Sequence, residues 1–301
     1  MVEDAGLGVS GVGLGDRVVV TLVRSCGICR YCVRGDPVAC VGSFALDEHS
    51  PLRDASGAEV LQGLRVAGFA SAVVVHRSQV VRIGPEIGLD VAALFACGVL
   101  TGVGAVFNTA AVRPGSHVVV FGCGGVGFNV VQGARLAGAA TVTAVDPDRR
   151  KLGQARRFGA TGAAGPDDDL EAVVSTATRG AMADYVFVAT SSVSAVEAGF
   201  GVLAPMGTLV LVGMPADGVT ARLDVSRVAA LNQRVLGSKM GTCRPDRDIT
   251  RLVSLYGEGR LELDSLVSGR YPLEDINEAL DATRRGDALR NLVIVAEDLI
   301  R

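Results

Sequence analysis

His117-Val118-Val119-Val120-Phe121-Gly122-Cys123-Gly124-Gly125-Val126-Gly127 decides the fold. The unbroken apolar run of four residues, Val118–Phe121, after His117 reads as a strand buried on both faces. The Gly-x-Gly-x-x-Gly turn that follows opens onto Val126–Ala137, whose apolar spacing is helical. A strand, a glycine turn and a helix in that order form a dinucleotide-binding fingerprint. Gly122 permits the tight turn, Gly124 lets a pyrophosphate approach the backbone, and Gly127 lets helix and strand pack closely. With Gly125 and Val126 they open a helix whose positive end faces the phosphates.

The same rhythm continues downstream. Thr141–Val145, Ala183–Val188 and Thr208–Val212 read as further buried strands, and Lys151–Phe158 as a short helix between them. Strands alternating with helices predict a doubly wound parallel sheet. Asp146 ends the second strand, 19 positions after Gly127. A carboxylate there accepts hydrogen bonds from an adenosine ribose and repels a 2′-phosphate, which favours NAD over NADP. Lys151 is placed to reach the same ribose. Upstream, short β segments such as Val18–Val23 and Ala72–Val75 alternate with irregular connections, including a long polar loop over 43–61. Beyond about residue 241 the chain turns helical and charged, closing on the strand-like Leu292–Val295. Two domains are expected: 107–241 binds the dinucleotide, and 1–106 joins 242–301 in a mostly-β domain.

Composition narrows the function classes. The 301 residues carry 29 basic and 32 acidic side chains, a net charge of −3, so no basic field attracts nucleic acid. Aromatic residues are 4% and Trp is absent, which leaves no platform for stacking bases. Apolar stretches are interrupted by Gly, Arg, Asp or His before about 18 residues, so no membrane span is expected. The first residues lack the basic and apolar regions of a secretory signal, and the cysteines are clustered rather than spread as a disulfide framework. A cytoplasmic protein with reduced thiols is the expectation.

Four of the seven cysteines fall in Cys26-x2-Cys29-x2-Cys32-x7-Cys40. Four thiolates at this spacing suit a tetrahedral Zn²⁺ with no open position, a structural site. An iron–sulfur cluster or a disulfide pair are the alternatives.

Taken together, these elements resemble the zinc-containing medium-chain alcohol dehydrogenases. Further landmarks are Gly15-Asp16-Arg17-Val18, Cys97-Gly98-Val99-Leu100-Thr101-Gly102-Val103-Gly104, Val145-Asp146, Val212-Gly213-Met214-Pro215 and Arg290. The resemblance implies a GroES-like catalytic domain beside the Rossmann domain, and reversible oxidation of an alcohol to an aldehyde or ketone. It implies that Cys97 is a ligand of the catalytic zinc and that Thr101 contacts the nicotinamide half. Val212 and Met214 lie along the nicotinamide, and Arg290 holds the pyrophosphate. It also implies a homodimer or homotetramer joined at the edge of the dinucleotide sheet, expected at Leu209–Met214 and the segment after it.

The family's other catalytic-zinc ligands, a Cys and the His of a Gly-His-Glu element, match no position here. His49, His76 and His117 have no spacing that pairs them with Cys97. The resemblance therefore implies a catalytic domain incomplete at its N-terminus. Arg far outnumbers Lys, and Ala, Gly and Val abound, as in GC-rich genes whose starts are ambiguous. A native start upstream of Met1 is expected, with poor solubility for the 301-residue chain alone. The competing expectation is a non-catalytic protein that binds NAD and zinc. A zinc-free quinone-type reductase of the same superfamily is disfavoured by the four-cysteine lobe.

Overall fold

The computed structural model describes residues 1–295. The chain divides into two compact units, Thr101–Thr242 on one side and Met1–Leu100 with Cys243–Arg301 on the other.

Thr101–Thr242 is built on a six-stranded sheet, parallel throughout. Its spatial order is Arg234–Gly237, Leu203–Leu211, Ala183–Val188, His117–Phe121, Thr141–Val145, Gly162–Ala164. The central strands are apolar on both faces because helices cover both faces. Val119, Val186, Val188, Leu209 and Phe200 make one core cluster. Phe128 of the Gly125–Leu136 helix stacks on Phe158 with 4.2 Å between ring centroids. The register aligns Phe121 with Val145 and Val188, and Val188 with Leu211. Gly122, Asp146, Ala189 and Val212 therefore follow directly on strand ends that lie side by side. In an open parallel sheet, ligands bind at that edge.

Two expectations are corrected here. Leu209–Leu211 is interior, paired with Ala183–Val188 on one side and Arg234–Gly237 on the other, so the sheet edge on that side is Arg234–Gly237, the opposite edge being Gly162–Ala164. The helical stretch Leu89–Ala110 is long and apolar enough to cross a membrane, contrary to the expectation of no membrane span. Its glycines do not break it, and 72% of its most apolar window is buried, the condition of a core helix.

The other unit carries Val18–Val20 antiparallel to Val80–Arg82, and Val267–Pro272 parallel to Arg290–Ile294. Ala72–Val75 is not a strand; the Val74 carbonyl accepts from Gln62 Nε2 instead of a ladder partner. The 43–61 stretch is not a free loop. It contains the Ala45–Glu48 helix and the paired strands Leu52–Arg53 and Glu59–Val60. Phe44 and Ser50 within it are buried. Arg24 anchors it from below. Its side chain is fully enclosed, donating Nε to Gln79 Oε1 at 2.9 Å, Nη1 to Asp47 Oδ1 at 2.9 Å and Nη2 to the Arg65 carbonyl at 3.1 Å. Burial holds its pKa below the ordinary arginine value, against the opposing pull of Asp47. A buried cation is tolerable only when paired and hydrogen-bonded in this way. Val18–Val20 also lines an apolar groove of about 250 Å³ with Met1, Leu89, Ala92, Ala93 and Ala96.

Candidate functional site

The Sγ atoms of Cys26, Cys29, Cys32 and Cys40 all lie within 4.8 Å of one another. Cys26 and Cys32 are 4.0 Å apart, Cys29 and Cys40 3.9 Å. A tetrahedron with Zn–S bonds of about 2.3 Å places its sulfurs about 3.8 Å apart, so the cluster has the size of a zinc site. Backbone N–H groups point at the sulfurs: Cys26 and Gly42 donate to Cys40, and Cys29 to Cys26, each at 3.3 Å. Amides from Cys32 and Val41 lower the Cys29 pKa to about 6, and amides of Ile28 and Cys29 lower that of Cys26. Burial among the other sulfurs raises Cys32 to about 12. Backbone dipoles favour charge at the rim of the cluster while crowding opposes a further thiolate, a conflict that a divalent cation resolves.

Two glycines of the lobe were not legible as functional. Gly27 holds φ +76°, letting the chain turn between Cys26 and Cys29. At Gly42 a Cβ would stand 2.8 Å from the Cys26 sulfur, inside the cluster.

The glycine turn fits a dinucleotide. Gly122 has φ +90°, and a Cβ on Gly127 would collide with the Gly122 carbonyl oxygen. At Gly124 a Cβ would meet nothing within 4 Å, so that backbone faces open space. Gly125–Leu136 has no side-chain cap at its N-terminus. Uncapped N–H groups beside an open backbone suit a phosphate.

Asp146 is buried, and both carboxylate oxygens are engaged. Oδ2 accepts from the Cys123 N–H at 2.6 Å and Oδ1 from the Asp148 N–H at 2.8 Å. It ties the glycine turn to the end of the neighbouring strand and retains lone pairs for a ribose. The helix that follows is capped by Asp148, not Asp146. Burial raises the Cys123 thiol to about 12, reinforced by Asp146 and opposed by Lys151, which places the Lys151 charge beside the turn. Val212 is buried next to Val188, while Met214 is exposed. Gly213 between them is obligatory, since any side chain would collide with the Thr190 backbone. Thr101 is buried and donates its hydroxyl to Met240 Sδ at 3.6 Å.

In the other unit, Cys97 is exposed and sits in a π-helical turn, Phe95–Val99. Arg290 packs on it, and a Cβ on Gly98 would meet the guanidinium at 2.9 Å. Burial lowers the Arg290 pKa, partly offset by Cys97. Burial also raises Cys243 to about 12, with a smaller contribution from Cys97. The histidines stand elsewhere: His76 bonds Ser78, His117 bonds Thr141, and exposed His49 ends the Ala45–Glu48 helix. Among the described residues the four-cysteine cluster is the one group of three or more His, Cys, Asp or Glu that converges. The residues present thus fit a structural zinc and a dinucleotide. Among the described residues no set of three potential ligands gathers around Cys97, the arrangement a catalytic zinc requires.

Comparison with known proteins matches this architecture. Residues 1–85 match the alcohol dehydrogenase GroES-like domain, and 125–257 the zinc-binding dehydrogenase model. An NDMA-dependent alcohol dehydrogenase of Amycolatopsis methanolica is 35% identical over 306 residues, covering 99% of this chain and 82% of the relative. A solved alcohol dehydrogenase zinc-binding domain protein from Burkholderia ambifaria superposes with a TM-score of 0.92 at 32% identity, covering 98% of this chain and 81% of that one. Benzyl alcohol dehydrogenase from Acinetobacter calcoaceticus does so at 0.88 and 28%, with the same coverage. A GroES-like domain with small two-stranded sheets rather than the mostly-β domain expected, a parallel Rossmann sheet and a four-thiol lobe define a zinc-binding dehydrogenase. The chain belongs to the zinc-containing medium-chain alcohol dehydrogenase family. Its function class is zinc-dependent alcohol oxidation with a nicotinamide cofactor.

Proposed function

We propose that this chain oxidises a small alcohol reversibly, with NAD as the hydride acceptor. The observation that carries the cofactor assignment is Asp146, fixed at the sheet edge beside a glycine turn whose backbone is open at Gly124. Gly122, Gly124, Gly125, Val126 and Gly127 bind the pyrophosphate through their backbone. Asp146 receives the adenosine ribose hydroxyls, with Lys151 beside it. Thr101, Val212 and Met214 hold the nicotinamide half, and Arg290 serves the pyrophosphate. Cys97 is a ligand of the catalytic zinc, and Cys26, Cys29, Cys32 and Cys40 hold the structural one. When bound, a catalytic zinc supplies a Lewis acid that makes an alcohol easier to deprotonate. A second copy of the chain pairs along the free edge of Arg234–Gly237, where Arg234, Val235 and Gly237 are exposed. A cytoplasmic location is part of the same reading.

The cofactor assignment is tested by Asp146→Ser. Titration with NADH and NADPH reads the ratio of the two dissociation constants. Loss of a buried charge facing the 2′ position shifts that ratio toward NADPH by about tenfold or more. An unchanged ratio removes Asp146 from the ribose.

A further inference from the structure

The segment that follows the edge strand Arg234–Gly237 is unusual. Met240 (φ 49°, ψ 32°), Gly241 (φ 64°, ψ 25°) and Thr242 (φ 49°) are three consecutive left-handed residues. Only glycine takes up that region freely, so Met240 and Thr242 are strained and must be held there. The surroundings do so. Asn108 Nδ2 donates to the Gly241 carbonyl at 3.2 Å. Thr109 Oγ1 bonds both Thr242 Oγ1 at 2.7 Å and Ser238 Oγ at 2.8 Å. Gly104 leaves room for the turn, since a Cβ there would stand 2.7 Å from the Gly241 carbonyl oxygen. Thr101, Gly104 and Asn108 share one helix face at intervals of three and four residues.

The strain has a visible product. It places the Met240 sulfur where the Thr101 hydroxyl donates to it, both side chains being buried. A helical threonine ordinarily turns its hydroxyl hydrogen back to a carbonyl one turn earlier. Here the thioether receives the hydrogen instead. A hydroxyl has one donor and two lone pairs, so Thr101 is left as a pure acceptor toward any third group. The nicotinamide carboxamide carries the N–H₂ donor that such an oxygen would bind.

We propose that Met240 is a positioning residue, acting through Thr101 to orient the carboxamide end of the cofactor. The proposal rests on the assignment of Thr101 to the nicotinamide half. The strained turn is maintained for that purpose, and methionine serves because its sulfur is a soft acceptor on a flexible stem.

The test separates the two halves of the cofactor. Calorimetry measures NADH and ADP-ribose binding to the wild type and to Met240→Leu, which keeps the volume and removes the acceptor. ADP-ribose affinity stays within twofold, while NADH affinity falls about three- to tenfold, the value of one hydrogen bond. Thr101→Val gives a similar selective loss, and the double variant adds little to it. Should Met240→Leu fail to fold, Met240→Gly, which suits the left-handed backbone, makes the same comparison. Unchanged affinity for both ligands, or a parallel loss of both, overturns the proposal and leaves Met240 as packing. A wild type that binds NADH no better than ADP-ribose removes Thr101 from the nicotinamide first. A wild type that binds neither removes the glycine-turn assignment, and the proposal with it.

Discussion

Cys40→Ser releases one zinc per chain and lowers the melting temperature of the protein by about 10 °C. The lobe has almost nothing else to hold it. Arg30–Arg34 is five residues long, well under the length at which a helix is stable alone, and it buries no residue. Pro37–Ala39 buries none either. Ile28, Val33 and Val41, the apolar side chains that might have formed a small core, are exposed. Order here therefore comes from ligation, and loss of one thiolate dissolves it. Structural zinc in small domains carries apparent binding energies of about 10–16 kcal/mol. In a chain of this size most of that is confined to the lobe. A global loss of about 4 kcal/mol, at 2–4 °C per kcal/mol, gives the shift stated. Metal analysis and calorimetry with and without chelator check it. Unchanged zinc content and melting in Cys40→Ser would remove zinc from the cluster.

Gly127→Ala abolishes tight NADH binding with the sheet intact. A methyl group there collides with the Gly122 carbonyl oxygen, which is backbone and has no rotamer to yield. The helix must shift away from the turn. Gly122 cannot compensate, because its φ of +90° and its packing against Ala189 fix it. Overpacking costs about 1–3 kcal/mol. That cost falls on the amides that face the pyrophosphate, so NADH affinity drops about ten- to hundredfold. Gly124→Ala is the control, since its Cβ would enter open space next to the ligand rather than the protein. It spares stability and costs only affinity. Equal stability and equal NADH affinity in Gly127→Ala would contradict the assignment of the turn.

The dinucleotide unit was the most legible part of the chain, for a physical reason. His117–Phe121, Thr141–Val145 and Ala183–Val188 are largely buried on both faces, so each is a mostly apolar run with sharp ends, interrupted by few polar residues such as Thr143 and Asp184. Leu203–Leu211 was read five residues short because Pro205, Met206 and Gly207 interrupt it. Met206 takes φ +65° where the register with Ala183–Val188 shifts. The four cysteines were legible because spacing alone brings their sulfurs together. Asp146 was legible as a carboxylate at a strand end, but not as the residue that ties Cys123 to Asp148. Gly42 carried no signal, and Gly213 stood only within a landmark whose reason was not legible, since what forbids a side chain there comes from residues distant in sequence. The Met240–Thr242 turn was invisible for the opposite reason: neither Met nor Thr favours a left-handed backbone, and the hydroxyls and amide that impose it lie about 130 residues away. The buried Arg24 carries no sequence signal, because Asp47, Gln79 and the Arg65 carbonyl that enclose it lie 23 to 55 residues away.

Alcohol-dependent reduction of NAD⁺ by the zinc-loaded protein tests the central claim most directly. It is followed at the NADH absorbance band with benzyl alcohol and a short primary alcohol, and repeated with NDMA as the electron acceptor. Turnover is expected once the remaining catalytic-zinc ligands are supplied, and Cys97→Ala in that protein is expected to lose it while still binding NADH and retaining the lobe zinc. Tight NADH binding with no oxidation of any alcohol by either acceptor would contradict the account and mark the chain as a protein that binds NAD and zinc without catalysing.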